Sequence, residues 1–174
     1  LDFEAPAQTR IITVANQKGG VGKTSTTVNV GAGLAMAGLQ VLIIDADPQG
    51  NTSTALSIDH HAEVPSMYEV LVESSPIADV VQEVPEMDNL LCAPATINLS
   101  GAEIELVSLV ARENRLRNAI RDYLDWREEQ GMARLDYVLI DCPPSLGLLT
   151  VNALVAAREV LIPIQAEYYA LEGL

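Results

Sequence analysis

Apolar residues occur along this chain in two kinds of pattern, and the order of the patterns predicts the fold. Short continuous apolar runs are typical of strands that are buried on both faces of a sheet. Longer stretches in which apolar residues recur every three to four positions are typical of amphipathic helices. The runs predict strands at residues 10–15, 41–44, 89–93, 137–140 and 160–164. The periodic stretches predict helices at residues 24–37, 66–72, 77–84, 101–130 and 146–157.

The predicted elements alternate, as they do in proteins with a parallel sheet. The first strand, the first helix and the second strand form a βαβ unit of about 35 residues, which implies a right-handed crossover. We therefore predict one α/β domain over residues 10–174, with a mostly parallel β-sheet flanked by helices on both faces. Residues 1–9 are polar and contain proline, which predicts a flexible leader.

Composition narrows the class of protein. Hydrophobic residues make up 49% of the chain and aromatic residues only 4%, so the core is expected to be aliphatic. No apolar run approaches the roughly 20 residues that a membrane span needs. Two cysteines do not make a disulfide framework, and a reducing cytoplasmic location is expected.

The formal net charge of −14 argues against a nucleic-acid surface on this stretch of chain, because phosphate contacts need clustered cations. Five arginines do lie close together, but acidic residues are interleaved with them. We interpret that region as the solvated, mixed-charge face of a helix. The arginines are Arg112, Arg115, Arg117, Arg121 and Arg127.

Both lysines of the chain, Lys18 and Lys23, lie in one glycine-rich turn at residues 16–25. Gly22, Lys23 and Thr24 have the order found at the end of a P-loop. In such a loop backbone N–H groups surround phosphates, the lysine reaches the β- and γ-phosphate oxygens, and the hydroxyl holds Mg²⁺. The usual first glycine is replaced by Gln17, and Lys18 is an additional cation.

Three carboxylates follow predicted strands. Asp45 and Asp47 come after the second strand, and Asp141 ends the strand at residues 137–140. The carboxyl ends of parallel strands meet at the sheet edge where ligands bind, which is also the edge of the P-loop. An apolar strand that ends in aspartate is typical of the Mg²⁺ side of a phosphate site.

These motifs together resemble those of ParA/Soj-type chromosome partition ATPases. Residues 18–24 are similar to the deviant Walker A motif of that family, and residues 45–51 to its aspartate loop. Residues 141–144 are similar to its Walker B and switch II region, and residues 102–106 and 169–174 also match. The resemblance covers residues 10–174 and implies a P-loop NTPase-like fold, ATP and Mg²⁺ as ligands, and ATPase activity.

The resemblance also implies roles for individual residues. Lys23 and Lys18 would contact phosphates, with Lys18 reaching across a sandwich dimer to the nucleotide of the opposite subunit. Asp47 would position the attacking water, so Lys18, Lys23 and Asp47 are the catalytic candidates. Thr24, Asp45 and Asp141 are the metal candidates. The nucleotide-binding candidates are Lys18, Gly19, Gly20, Val21, Gly22, Lys23, Thr24 and Ser25.

The family resemblance implies partners as well. A homodimer formed on ATP binding, a ParB-type centromere-binding protein and non-specific DNA on the nucleoid are expected. The chain begins at Leu1, and residues 169–174 are typical of a helix start, so we expect the C-terminal part of the family domain, which carries the DNA contacts, to lie beyond residue 174. A MinD-like membrane-cycling ATPase is the main alternative, and a small-molecule ligase or kinase of the dethiobiotin-synthetase group is a third.

Other reactive residues are expected to be structural. Cys92 and Cys142 are interpreted as buried small hydrophobes and not as ligands of an iron–sulfur cluster. His60 and His61 are expected in an exposed loop and not at a metal site. Asn152 either faces a partner or caps a turn.

Overall fold

The computed structural model describes residues 3–15 and 22–164, and they contain the predicted sheet with helices on both faces. Within these ranges the strand order is β3-β4-β2-β5-β1-β6, and all neighbouring strands are parallel except β3 and β4. The predicted fold class is confirmed. The strands are β1 (Arg10–Val14), β2 (Val41–Asp45), β3 (Gln82–Glu83), β4 (Leu90–Ala93), β5 (Tyr137–Asp141) and β6 (Glu159–Leu161).

Helices of very different length connect these strands. Three of the predicted helices, at residues 24–37, 66–72 and 146–157, are confirmed to within two residues at each end. Short 3-10 turns lie at Ile77–Asp79, Ile97–Gly101 and Leu106–Ser108. The α-helices of the described ranges are α1 (Lys23–Met36), α2 (Asn51–Ala55), α3 (Met67–Val72), α4 (Ala102–Glu105), α5 (Arg115–Glu129) and α6 (Leu148–Ala156).

The central strand β2 is buried along its whole length and divides the core into two layers. Leu42 and Ile44 pack into the larger layer, together with residues of α3, α5 and α6. Val41 and Ile43 point the other way, into a layer shared with α1. Burial of each aliphatic side chain contributes about 1.5–3 kcal/mol to the free energy of folding. A shift of β2 by one residue would move these side chains to the opposite faces of the sheet, so the alternation fixes the register of the strand.

Helix α1 lies unusually close to the sheet at Gly31. A Cβ atom on Gly31 would be 2.5 Å from Ile43 Cδ1 and 3.2 Å from Ile43 Cγ1, so a larger residue would have to displace the Ile43 side chain or the helix. Helix α1 also ends as predicted, with Gly38 in the left-handed region at φ +89° just after the helix. This packing places the first turn of α1 at the carboxyl edge of the sheet.

The single helix predicted over residues 101–130 is wrong. Helix α4 and the turn Leu106–Ser108 are separated from α5 by an irregular segment, in which Leu109 is extended and Ala111 has a φ of +56°. Apolar residues on both sides of this segment are buried in the same layer. The apolar period therefore continues through the break, and periodicity could not reveal it.

Asn152 of α6 stabilises the irregular segment before α5. Within the described chain it therefore acts as a cap for backbone groups at the start of α5. Its Nδ2 donates to the carbonyl oxygen of Arg112 at 2.7 Å, and its Oδ1 accepts the N–H of Leu116 at 3.1 Å. The side chain is fully buried. It satisfies backbone groups that the interrupted helix leaves unpaired.

Two further predictions fail at element boundaries. Residues 77–84 form the turn Ile77–Asp79 and the edge strand β3 instead of a helix, because Gln82 and Glu83 pair with β4. The last predicted strand, at residues 160–164, is present but occupies Glu159–Leu161. Both segments are short, and apolar spacing over so few residues fits either structure.

The arginine-rich helix face is solvated only in part. Arg121 is exposed and pairs with the adjacent Asp122, as expected. Arg127 is instead buried and donates to the carbonyl oxygen of Ala133 at 2.6 Å. Arg115 donates to the carbonyl oxygen of Leu71 at 2.9 Å. These two arginines join α5 to neighbouring segments, so the solvated interpretation is wrong for them.

Candidate functional site

The carboxyl ends of β1, β2 and β5 bring two of the predicted carboxylates side by side. Asp45 and Asp141 are partners in the pairing of β2 with β5, and Val14 of β1 is the partner of Asp141 on its other side. Both aspartates have no exposed surface. Two buried carboxylates in register are costly unless other groups compensate them, so their partners define the site.

Lys23 is the cation that compensates one of these carboxylates, Asp141, and it also faces Asp47. It begins α1 directly after Gly22, whose φ of +78° lies in the left-handed region. Its Nζ pairs with Asp141 Oδ1 and lies 3.6 Å from Asp47 Oδ2. The side chains of Lys23, Asp47 and Asp141 are only 11%, 8% and 1% exposed, so the interaction is between largely desolvated charges.

Two hydroxyl groups complete what we name the carboxyl-edge cluster, which comprises Lys23, Thr24, Asp47, Thr52 and Asp141. Thr24 Oγ1 lies 3.5 Å from Asp141 Oδ2, and the Thr52 hydroxyl donates to the same oxygen. The cluster therefore joins the start of α1, the loop after β2, helix α2 and the end of β5. It combines one cation with carboxylate and hydroxyl oxygens in a shielded position.

Asp45 lies beside the cluster but is bound by the chain itself. Its Oδ2 accepts from Ser53 N at 2.9 Å and Ser53 Oγ at 2.7 Å, and its Oδ1 accepts from Asp47 N at 3.2 Å. Burial raises its pKa to about 7, although the bonds from Ser53 oppose the shift. The geometry makes Asp45 the support of the loop that carries Asp47.

A run of three hydroxyl residues was not recognised in the sequence. Thr52 donates to Asp141, Ser53 donates to Asp45, and Thr54 Oγ1 donates to the carbonyl oxygen of Gly50 at 3.1 Å. They form most of α2, a helix of five residues that the sequence did not predict. The usable signal was three consecutive hydroxyls immediately after an aspartate-rich turn at the edge of a predicted sheet.

The remaining predicted residues are distributed as follows. Gly22 and Ser25 are exposed at the start of α1, where backbone N–H groups and the positive end of the helix favour an anion. Lys18, Gly19, Gly20 and Val21 lie outside the described residues. Their predicted roles stay predictions.

The cysteines are buried, free thiols. Burial raises the pKa of Cys142 to about 11, and it raises that of Cys92 well above its usual value. A thiol that keeps its proton is a poor metal ligand, which favours the interpretation as small hydrophobes.

The histidines differ from each other. His61 is exposed, as expected, with Nε2 3.5 Å from Asp59 Oδ2. His60 is half-buried, and both of its ring nitrogens have partners, so the expectation of an exposed loop is wrong for this residue.

The carboxyl-edge cluster fits a magnesium-bound phosphate chemically. Thr24 and Asp141 offer hard oxygen ligands, and Lys23 offers a compact cation beside them. Within the described ranges no set of three or more His, Cys, Asp or Glu residues is arranged to hold a metal by itself. Mg²⁺ in phosphate sites takes only one or two protein ligands, and phosphate and water supply the rest.

Among the described helices, none is both long and apolar enough to cross a bilayer.

The strand order, the lysine at the start of α1 and the carboxylates at the sheet edge define the class of P-loop nucleotide-binding α/β proteins. A family model described as an AAA domain matches residues 9–174, and the chain belongs to this family. The predicted resemblance to ParA/Soj-type ATPases is confirmed by its relatives.

Two curated relatives illustrate the similarity. The sporulation initiation inhibitor protein Soj of Bacillus subtilis is 50% identical over 165 residues, which cover 95% of this chain and 62% of Soj. The chromosome partitioning protein ParA of Myxococcus xanthus is also 50% identical over 165 residues, which cover 95% of this chain and 55% of that protein. The chain thus spans about three fifths of the length of the relatives it matches.

Solved structures show the same fold. Cobyrinic acid a,c-diamide synthase from Mycobacterium smegmatis with bound ADP and magnesium has a TM-score of 0.83 and 39% identity, and the match covers 96% of this chain and 64% of that one. A putative plasmid partition protein from Borrelia burgdorferi bound to AMPPNP has a TM-score of 0.78 and 28% identity, with 95% and 67% covered. Both structures contain nucleotides, which supports nucleotide and Mg²⁺ binding by this fold.

Proposed function

We propose that this chain is the nucleotide-binding part of a ParA-like ATPase that binds and hydrolyses ATP with Mg²⁺. The observation that carries the proposal is the carboxyl-edge cluster, in which Lys23 pairs with Asp141 and lies 3.6 Å from Asp47. Such a desolvated group of charges stabilises the fold poorly. It is the arrangement expected where phosphate and Mg²⁺ are to be held.

The cluster suggests how its residues act. With nucleotide bound, Lys23 donates to phosphate oxygens in place of Asp141. Asp141 then becomes available, with the Thr24 hydroxyl, to hold Mg²⁺. Asp47, whose carboxylate is fixed by its own loop, orients the water that attacks the terminal phosphate. Mg²⁺ supplies charge neutralisation at the phosphates.

Lys18 is proposed to complete the site from a second subunit. A cation that reaches the phosphates from across a dimer stabilises the charge of the transition state in the way that an arginine finger does. The dimer would then form only with ATP bound. In the cell this ATP-dependent dimer would act in chromosome or plasmid partitioning with a ParB-type partner and on non-specific nucleoid DNA in the cytoplasm.

Light scattering of the protein with ADP and then with ATP tests the dimer. We expect a monomer with Mg²⁺ and ADP and a dimer with Mg²⁺ and ATP. Lys18→Ala should keep monomer ATP binding while abolishing the dimer or turnover. A variant with full turnover would contradict the role of Lys18 across the dimer.

A second candidate comes from the Mycobacterium smegmatis structure, since that protein is named as a cobyrinic acid a,c-diamide synthase. By analogy this chain would couple ATP hydrolysis to amide formation on a small carboxylic acid. Its ATPase activity would then require that acid. Turnover without any carboxylic acid substrate, and its acceleration by DNA with a ParB-type protein, would favour partitioning.

A further inference from the structure

His60, in the loop after α2, is hydrogen-bonded to two segments that are far apart from each other in sequence. Its Nδ1 lies 3.1 Å from the carbonyl oxygen of Ala95, just after β4. Its Nε2 lies 2.9 Å from Thr54 Oγ1 in α2. The imidazole therefore connects α2 with the segment that follows strand β4.

The partners fix the proton of the imidazole. A carbonyl oxygen only accepts, so Nδ1 must carry a proton in order to bond to Ala95. Nε2 then accepts from the Thr54 hydroxyl when the ring is neutral. Thr54 Oγ1 is also 3.1 Å from the carbonyl oxygen of Gly50, so the neutral imidazole and Gly50 compete for the single proton of this hydroxyl.

The ring also covers the turn that follows Asp47. Gly50 has a φ of +65°, and its N–H donates to the carbonyl oxygen of Asp47 at 2.9 Å. A Cβ atom at Gly50 would lie 2.9 Å from His60 Cε1 and 3.3 Å from Ala95 O. The turn is thus packed directly beneath the imidazole, with no space for a side chain.

This support matters because α2 is only five residues long, and so short a helix is not stable by itself. Asp47 lies immediately before the turn. Its Oδ1 accepts the N–H of Gln49 at 3.0 Å, and its Oδ2 faces Lys23. A displacement of Gly50 is therefore transmitted through one turn to the carboxylate that the proposed reaction uses.

We propose that His60 is a positioning residue, which holds the turn at residues 47–50 so that the Asp47 carboxylate stays beside Lys23. The expected effect of His60 on catalysis rests on the proposed ATPase function. The expected effect of His60 on the turn rests only on its contacts with Ala95, Thr54 and Gly50. His60 touches none of the atoms that react.

The first test measures the turn without nucleotide. In His60→Ala, hydrogen exchange at the Gln49 and Gly50 amides should be faster by about tenfold, because both amides bond to Asp47. Nitrogen NMR of the unmodified protein should show the Nδ1–H form of His60 when the ring is neutral. His61→Ala is the matched control and should leave both exchange rates unchanged.

The second test measures turnover. His60→Ala should lower kcat for ATP by about tenfold while KM changes by less than about twofold, because alignment and not ground-state binding is lost. His60→Asn, whose amide can still donate to Ala95, should recover part of the rate.

The outcomes separate the two proposals. Without ATPase activity in the unmodified protein the proposed function fails, while the exchange rates still decide whether His60 holds the turn. Unchanged exchange at Gln49 and Gly50 in His60→Ala would overturn the inference. Where the unmodified protein hydrolyses ATP, equal loss of kcat in His60→Ala and His61→Ala would also overturn it.

Discussion

Two buried polar clusters in this chain are built in different ways. At Asn152 the groups are neutral, and the amide bonds to Arg112 in the irregular segment before α5, to Leu116 in the first turn of α5 and to Leu148 of its own helix. At the carboxyl edge the groups are charged, and one lysine faces two carboxylates. The polar groups around Asn152 are paired without any ligand. The charged groups at the carboxyl edge would be stabilised further if a phosphate paired with the lysine and a cation paired with the carboxylates.

The comparison separates stability from binding. A neutral amide that bonds to buried backbone groups contributes to folding, because its removal leaves those groups unsatisfied. A buried ion pair contributes little net free energy to folding, because the cost of desolvating the two charges offsets their attraction. We therefore expect substitutions in the two clusters to affect different measurements.

The largest expected effect is on nucleotide affinity. Lys23→Ala should weaken binding of Mg²⁺ and ATP by about 100-fold or more, because a buried charge interaction with phosphate is lost. Fluorescent ATP titration measures the change. Arg10→Ala removes an exposed cation that pairs with Glu159 and is the matched control. If both variants bind equally well, the carboxyl-edge cluster is not the phosphate site.

The next effect should appear in stability and not in affinity. Asn152→Ala should lower the free energy of unfolding by about 2–3 kcal/mol, because Leu116 N and Arg112 O become unpaired in the core. Asn29→Ala, the same change at an exposed position of α1, should stay within about 0.5 kcal/mol. Urea unfolding measures both. Loss of nucleotide binding in a folded Asn152→Ala protein would show that the two clusters are not independent.

These two clusters also differ in how far the sequence predicted them. The aspartates Asp45, Asp47 and Asp141 could be placed at one edge, because apolar runs identify strands and parallel strands share a carboxyl edge. Lys23 and Thr24 could be placed at the same edge, but the partners of the aspartates in α2 could not. Thr52 and Ser53 are ordinary polar residues by pattern, and only the unpredicted α2 brings them to Asp141 and Asp45.

The break before α5 was hidden for another reason. The apolar spacing of residues 101–130 continues across it, and its stabilising contact comes from Asn152, more than 30 residues away in sequence. Local pattern carries no information on such a contact. Arg127 differs, because its contact with the carbonyl oxygen of Ala133 is only six residues away but lies in a loop beyond the end of the helix, which helical spacing does not describe.

The smallest effect concerns pH. Burial holds the pKa of Asp45 at about 7 in the folded chain, against about 4 for an aspartate in an unfolded chain. Between these values the unfolded state binds fewer protons, so Asp45 makes the fold less stable as the pH rises from 4 to 7. The stability advantage of the unmodified protein over Asp45→Asn should therefore shrink over this range.

Urea unfolding of both proteins at pH 5 and pH 7.5 measures this difference, with the exposed Asp59→Asn as a control. A difference that grows with pH would contradict the account. It would mean that Asp45 is held as a carboxylate in the folded chain, like the charged groups of the neighbouring cluster.

The central claim is that the carboxyl-edge cluster holds a phosphate together with Mg²⁺. Calorimetric titration of the protein with ATP, first with Mg²⁺ and then with EDTA, tests it most directly. The account predicts saturable binding with Mg²⁺ that weakens when the metal is removed, and weakens far more in Asp141→Ala than in the exposed Asp59→Ala. ATP binding of equal strength with and without Mg²⁺, or binding that Asp141→Ala leaves intact, would contradict it.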